Sequence, residues 1–224
     1  MVTYLFVIVG VGGTGSLLAR DLPKLLIDTQ HSMIIIDGDH VEEKNMKRQS
    51  YQKHDIGENK AIALAAKINS FYETKCQAFD RYITKDELKS WIFENGNYSN
   101  KWRVPVIIGC VDNDKTRMLL EDTFRDIDSV IYLDSANSEY EGNVYVTVKS
   151  NNVQKGKLRS QVYDLANDAH PLDKSCQELA GRNTQFLITN VKMAAVLLEH
   201  INSLLQKQMK VGVTLVKRFE TIHS

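Results

Sequence analysis

Apolar and polar positions alternate in blocks along the first two thirds of the chain. Several short runs rich in Val and Ile have no polar face, which is typical of strands buried on both sides of a parallel sheet. The segments between them repeat apolar residues every three or four positions, which predicts helices. The predicted strands are Tyr4–Val9, Met33–Asp37, Cys76–Ile83, Val104–Val111 and Val130–Asp134, and the predicted helices are Thr14–Ile27, Lys60–Phe71, Asp86–Phe93 and Asp114–Arg125. This order predicts an α/β fold, a Rossmann-like and mostly parallel sheet with helices on both faces.

The pattern changes in the C-terminal part. The segment Val144–Lys149 alternates with period two and residues 211–220 resemble a closing strand, so we expect antiparallel strands added to the sheet. Between them we predict a long polar crossover loop over about residues 150–175 and a long helix over Gln177–Gln206, and residues 95–101 have the composition of a loop. No linker interrupts the chain, so the sequence predicts one domain spanning residues 1–224.

Charge and cysteine content limit the cellular setting. Lys and Arg together number 28, as do Asp and Glu, so the formal net charge is zero. This balance gives no general attraction to nucleic acid or to an anionic membrane, and the apolar run Tyr4–Val9 is far too short to span a bilayer. Three widely spaced cysteines without a CxxC pair indicate neither a disulfide framework nor a zinc knuckle. We therefore expect a cytoplasmic protein whose partners include neither membrane nor nucleic acid.

A glycine-rich turn follows the first predicted strand. Gly10, Gly12, Gly13 and Gly15 form the pattern GxGGxG immediately before a helix, where phosphate groups approach backbone N–H groups and the positive end of the helix dipole. Asp37 ends the second strand 22 residues after Gly15, a spacing that suits a carboxylate bound to ribose hydroxyls. The alternative, tight packing of helix on sheet, accounts for one glycine rather than four. The pattern predicts a nucleotide site and leaves open whether it holds a dinucleotide or ATP.

The cations that follow favour ATP. Asn45 and Arg48 come soon after the acid, and Lys60 opens the next helix. One Arg and one Lys supply fixed positive charge against the negative charge that develops at phosphorus. Taken singly, a residue such as Arg48 or Lys60 is more often part of a solvated, charged loop than of a phosphate site.

These residues form part of a longer pattern, GxGGxG, DxDxV, NxxRQ, GxxKA and VDN in that order, which resembles the ThiF/MoeB/ubiquitin-activating-enzyme superfamily. The blocks are Gly10–Gly15; Asp37, Asp39 and Val41; Asn45, Arg48 and Gln49; Gly57, Lys60 and Ala61; and Val111, Asp112 and Asn113. Residues 175–195 are most similar to the short ThiF proteins of bacterial plasmid operons, the PRTRC group.

The resemblance implies an ATP- and magnesium-dependent adenylyltransferase that activates the C-terminal carboxylate of a ubiquitin-like or sulfur-carrier protein. It implies that the glycine turn and Asp37 bind the nucleotide, that Asn45, Arg48 and Lys60 bind phosphates, and that Asp112 binds magnesium with Asn113 beside it. The chemistry is consistent with this assignment, because attack of a carboxylate on the α-phosphorus requires positioning and charge neutralisation rather than a base. A homodimer is also expected from the family.

The resemblance places Cys176 where several family members carry a cysteine that takes the acyl group as a thioester. The alternative role for Cys176 is that of a small buried apolar side chain. Cys110, inside a predicted strand, is expected to be structural, and Cys76 lies in no motif.

Two departures from the family keep other functions open. The N-terminal segment carrying an arginine and the CxxC zinc ligands of many relatives have no counterpart in this sequence. The alternatives are a nucleotide-binding pseudoenzyme serving as a scaffold in a heterodimer, and ATP-dependent modification of another carboxylate or of a tRNA base. An NAD dehydrogenase fits least, because it leaves Arg48, Lys60 and Asp112 without a role.

Overall fold

The computed structural model describes residues 2–72, 75–98, 101–165 and 187–224. The strands in these ranges are β1 (Tyr4–Val9), β2 (Ser32–Ile36), β3 (Cys76–Phe79), β4 (Asn97–Tyr98), β5 (Lys101–Trp102), β6 (Val104–Gly109), β7 (Val130–Asn137), β8 (Gly142–Ser150), β9 (Val153–Lys155), β10 (Gly212–Val216) and β11 (Thr221–His223). The helices are α1 (Gly13–Asp21), α2 (Pro23–Leu26), α3 (Lys60–Tyr72), α4 (Lys85–Gly96), α5 (Asp114–Asp126) and α6 (Leu187–Leu205), with short 3-10 turns at Glu43–Lys47, Lys53–Asp55 and Arg159–Gln161.

The main sheet has the order β11-β10-β8-β7-β6-β1-β2-β3, with β9 paired to β8. The five strands from β7 to β3 are parallel. The strand β8 runs antiparallel to β7, and β10 and β11 continue the antiparallel part. The prediction of a Rossmann-like sheet with antiparallel strands added late in the chain is confirmed. Because β1, β2, β3, β6 and β7 are parallel, their carboxyl ends meet at one edge of the sheet.

The core lies on both faces of this sheet, which explains why its strands lack a polar face. In β1, Phe6 and Ile8 pack into a cluster with residues of α1, α3 and α6, whereas Leu5 and Val7 point into the opposite cluster with residues of α4 and α5. All four side chains are at most 1% exposed. Successive side chains of β1 therefore alternate between the two faces of the sheet. The sequence shows no alternation of apolar and polar residues, because both faces are covered.

Most predicted elements are shifted at their ends, and three differ in a way that changes the local structure. The helix predicted over Thr14–Ile27 divides at Leu22, because Pro23 has no N–H to donate within a continuous helix and instead begins α2. The strand predicted over Cys76–Ile83 ends at Phe79. The loop predicted at residues 95–101 is wrong in part, since α4 continues to Gly96 and β4 pairs with β5.

The C-terminal part also carries more structure than the polar composition predicted. Residues 150–165, predicted as irregular, contain β9 and the 3-10 turn Arg159–Gln161. The predicted helix Gln177–Gln206 is observed from Leu187 to Leu205, and its first ten residues lie outside the described residues. The closing strand predicted within residues 211–220 is β10. Within the described ranges, no helix is both long and apolar enough to cross a bilayer.

Candidate nucleotide-binding site

A cleft of about 570 Å³ lies at the carboxyl ends of the parallel strands. It brings together most of the residues singled out in the sequence: Gly10, Gly12, Gly13, Asp37, Asn45, Arg48, Lys60, Asp112 and Asn113 all line it. A second concavity of about 910 Å³ lies near the amino ends of β1 and β2, away from these residues. The first cleft is where an α/β sheet of this type binds ligands, because the loops following neighbouring strands converge there.

Packing explains three of the four glycines in the turn, so the expectation that it explains one was wrong. A Cβ on Gly10, whose φ is +86°, would lie 2.7 Å from the Cys110 carbonyl oxygen, and one on Gly15 would lie 1.9 Å from the Gly10 carbonyl oxygen. A Cβ on Gly13 would lie 2.4 Å from Nδ2 of Asn190 on α6. At Gly12 the nearest atom would be 3.9 Å away, an ordinary contact. Only Gly12, among these four, leaves space that a ligand could use.

Asp37 holds the glycine turn in place. Its Oδ2 accepts a hydrogen bond of 2.7 Å from the Val11 N–H, and its Oδ1 accepts one of 2.9 Å from the Asp39 N–H. Burial raises the pKa of Asp37 to about 6, with the Lys60 charge opposing this rise and the Asp39 charge adding to it. Each carboxylate oxygen has a second lone pair, so Asp37 can also accept ribose hydroxyls.

Lys60 is held at the floor of the cleft by an ion pair. Its Nζ lies 2.8 Å from Oδ2 of Asp39, and its side chain is 7% exposed. Asn59 starts α3 as the N-cap, because its Oδ1 accepts from the N–H groups of Ala61 and Ile62. Its Nδ2 also donates to the carbonyls of Asp37 and Asp39. The helix start, the lysine and both acids therefore form one connected unit.

Asn45 lies in the 3-10 turn Glu43–Lys47, and Arg48 is the residue that ends this turn. Asn45 is buried, and its Oδ1 accepts from the Glu42 N–H at 2.8 Å, so part of its role is to shape the turn. Burial lowers the pKa of Arg48, whereas the Asp112 carboxylate favours its charged form. A guanidinium remains protonated in proteins. Arg48 therefore supplies a half-buried positive charge opposite Asp112.

Asp112 and Asn113 follow β6 and have different roles, the first facing the cleft and the second capping a helix. Asp112 is exposed in the cleft wall. Asn113 is buried and is the N-cap of α5, since its Oδ1 accepts from the Thr116 N–H at 2.8 Å. Among the described residues, no group of three or more His, Cys, Asp or Glu side chains could hold a metal. One carboxylate suits Mg²⁺ only where phosphate oxygens and water supply its other ligands.

A buried network beneath Asp112 was missed in the sequence. Asp134, at the end of its predicted strand, is fully buried and bonded through its two oxygens to Arg117 Nη1 and Arg159 Nε. Arg117 also donates to the Val111 carbonyl and, at 3.0 Å, to the Ser135 carbonyl. The sequence did contain one indication of it, because Asp134 ends its predicted strand in the same way as Asp37 ends the predicted strand Met33–Asp37. Its two arginine partners lie 17 and 25 residues away in sequence, and nothing in their local pattern marks them.

The cysteines differ in what the structure says of them. Cys110 lies just after the end of β6 rather than inside the strand, and it lines the cleft half-buried. Burial raises the pKa of Cys110 and of Cys76 to about 12, so both are protonated at neutral pH. Cys176 lies outside the described residues.

The family follows from a match over nearly the whole chain. A family model described as the ThiF family matches residues 3–221. The chain belongs to the ThiF family. The resemblance expected from the motif blocks of this ThiF protein is thus confirmed.

Individual relatives of this ThiF protein are distant. Ubiquitin-like modifier-activating enzyme 5 of Gallus gallus is 27% identical over 148 residues, which cover 61% of this chain and 34% of that enzyme. The microcin C7 biosynthetic enzyme MccB in complex with N-formylated MccA has a TM-score of 0.73 at 14% identity, covering 99% of this chain and 64% of that chain. E. coli MccB with ATP has a TM-score of 0.68 at 13% identity, covering 99% and 63%. The chain spans about a third of the length of this curated relative, and the two structures show a shared fold alone.

Proposed function

We propose that this ThiF protein is an ATP- and magnesium-dependent adenylyltransferase acting on the C-terminal carboxylate of a ubiquitin-like or sulfur-carrier protein. One observation carries the proposal. Arg48, Lys60, Asp37 and Asp112 all line the same cleft, together with the open backbone of Gly12. A dinucleotide needs no metal and leaves Asp112 without a role, whereas a triphosphate with its metal uses this acid and both cations.

The residues of the cleft fit ATP by their own chemistry. Gly12 caps α1 and has no side chain to cover the first N–H groups of the helix, which can donate to phosphate oxygens. Asp37 lies beside this turn, since its Oδ2 accepts from the Val11 N–H, and its remaining lone pairs can accept ribose hydroxyls. Asp112 would hold Mg²⁺ together with phosphate oxygens, and the ion would neutralise charge on the phosphates.

In the proposed reaction, an oxygen of the substrate carboxylate attacks the α-phosphorus of ATP, and pyrophosphate leaves. No proton needs to be removed, because the carboxylate is already ionised at neutral pH. The protein therefore contributes orientation, together with the fixed charges of Arg48 and Lys60 against the charge that builds up on the phosphate oxygens.

The names of similar proteins support a protein or peptide as the acceptor. A curated relative is named as an enzyme that activates a ubiquitin-like modifier, and solved structures of MccB contain ATP or N-formylated MccA. Transfer of the acyl group to Cys176 as a thioester, a homodimeric assembly and a cytoplasmic location remain predictions from the sequence.

Two measurements test the proposal. Calorimetry should detect binding of MgATP and no binding of NAD, and the reverse result would refute it. Pyrophosphate exchange in the presence of the cognate carboxylate should be abolished in Asp112→Asn, because the metal ligand is lost. The control is Asp122→Asn, which removes an acid paired with Arg125 on the exposed face of α5 and should exchange at the wild-type rate. Equal exchange in the two variants would show that Asp112 does not hold the metal.

A further inference from the structure

Tyr82 reaches the cleft from outside the motif blocks. Because β3 ends at Phe79, the chain turns back over the end of β2 instead of continuing as a strand. A Cβ on Gly38 would lie 2.7 Å from the Cγ, the Cδ2 and the backbone nitrogen of Tyr82. The phenol ring therefore packs against the backbone between Asp37 and Asp39, and its side chain lines the cleft.

The Tyr82 hydroxyl ends a chain of contacts that leads to Lys60. It donates a hydrogen bond to Oδ1 of Asp39, whose Oδ2 lies 2.8 Å from the Lys60 ammonium. The Asp39 side chain is 47% exposed, so without a second fixed contact it could turn towards water. Burial alone would raise the pKa of Asp39, but the Lys60 charge and the hydrogen bonds from Lys60 and Tyr82 hold it below its ordinary value. Asp39 is therefore an anion at neutral pH, and both of its oxygens are engaged.

We propose that Tyr82 is a positioning residue for nucleotide binding, which acts through Asp39 to hold the Lys60 ammonium in the place where phosphate binds. The proposal rests on the proposed function, since it requires ATP in this cleft. A lysine side chain has many rotamers, and fixing it before the ligand arrives removes an entropy cost from binding. An ammonium has three N–H donors, so Lys60 can keep Asp39 and still donate to a phosphate oxygen.

The test is a double-mutant cycle read out as MgATP affinity by calorimetry. Tyr82→Phe keeps the ring against Gly38 and removes only the hydroxyl. We expect it to bind MgATP about five- to tenfold more weakly. This loss is smaller than the full contribution of a hydrogen bond to a charged group, because Tyr82 acts on the nucleotide only through Asp39 and Lys60. In an Asp39→Ala background the same substitution should change the affinity by less than about twofold, because the link to Lys60 is already broken. The matched control is Tyr132→Phe, whose buried hydroxyl has no hydrogen-bond partner among the described residues and whose removal should leave affinity unchanged.

Each outcome separates this proposal from the proposed function. Wild-type affinity in Tyr82→Phe, or an equal loss in both backgrounds, would overturn the positioning role while leaving adenylation intact. A wild-type protein that does not bind MgATP would refute the proposed function and the role of Tyr82 with it. A loss in Tyr132→Phe as large as in Tyr82→Phe would show a general effect of hydroxyl removal and would also overturn the role.

Discussion

The substitution Asp134→Asn should destabilise the protein strongly, although it changes the side chain by only one atom. Asp134 is the acid between two buried arginines, Arg117 and Arg159, which are 4% and 6% exposed. Asparagine has one acceptor oxygen and no charge, so both guanidiniums lose their shared counter-charge. Arg117 keeps only a longer contact to Asp114, with Nε 3.7 Å from Oδ1, among the ion pairs of the described residues.

Breaking a buried ion pair by removing one partner costs about 3–5 kcal/mol, and because asparagine retains one acceptor we expect about 3 kcal/mol here. A domain of this size loses about 2–4 °C per kcal/mol, so the midpoint of thermal unfolding should fall by about 6–12 °C. Such a loss is a large part of the ~5–15 kcal/mol by which domains are stable.

Urea unfolding and thermal melts of wild type and variant measure this loss, with Asp126→Asn as the control. Asp126 pairs with Lys85 and Lys89 at 2.9 Å on the surface, where an ion pair contributes less than about 1 kcal/mol. The control should therefore melt closer to wild type than Asp134→Asn does. An Asp134→Asn variant that melts with the control would refute the reasoning, because it would show that water enters and solvates the two arginines.

The remaining predictions concern the nucleotide. Gly12→Ala should lose MgATP binding in calorimetry, since a Cβ there meets only Gln49 Nε2, at 3.9 Å, and fills space that the ligand needs. Gly15→Ala should lower the midpoint of thermal unfolding by more than Gly12→Ala does, because its Cβ would overlap the Gly10 carbonyl oxygen. A Gly12→Ala variant with full affinity would remove the argument for phosphate at this turn. The MgATP affinity of wild type relative to that of Asp37→Asn should fall as the pH drops through about 6, because protonation removes the carboxylate that accepts ribose hydroxyls. Taking the ratio cancels the titration of ATP itself, and a ratio that is flat between about pH 5 and 7 would contradict the role of Asp37.

The sequence predicts the parallel sheet well because its strands are apolar on both faces. β1 has the predicted bounds, Tyr4–Val9, and α5 begins at the predicted residue, Asp114, because Asn113 caps it. The sequence predicted that β3 extends to Ile83, beyond its observed end at Phe79, for a physical reason. The residues after Phe79 include apolar ones, Tyr82 and Ile83, that are covered by the cleft and the core rather than by sheet neighbours.

The site is predictable where its residues are adjacent in sequence to the strand ends. Asp37 and Asp112 follow strands, so their convergence comes from the parallel topology itself. Tyr82, Arg117 and Arg159 could not be found in this way, because each acts on a partner fixed by tertiary packing rather than by local pattern. The close approach predicted at the glycine turn is observed at three of its four glycines, where the approaching group is the protein itself, and at Gly12 it stays a prediction.

The contact between Gly13 and Asn190 also sets an order for assembly of the site. Thr14 and Asn137 share hydrogen bonds with Asn190, which is 176 residues from Thr14 along the chain. During synthesis, every residue that we assign to ATP leaves the ribosome before α6 exists. The glycine turn therefore lacks its final neighbour until α6 has been made and has docked. Contacts across such long separations form late in folding. A nascent chain would thus carry the whole nucleotide motif before it could hold the motif in its finished shape, which delays completion of the cleft until α6 has been made.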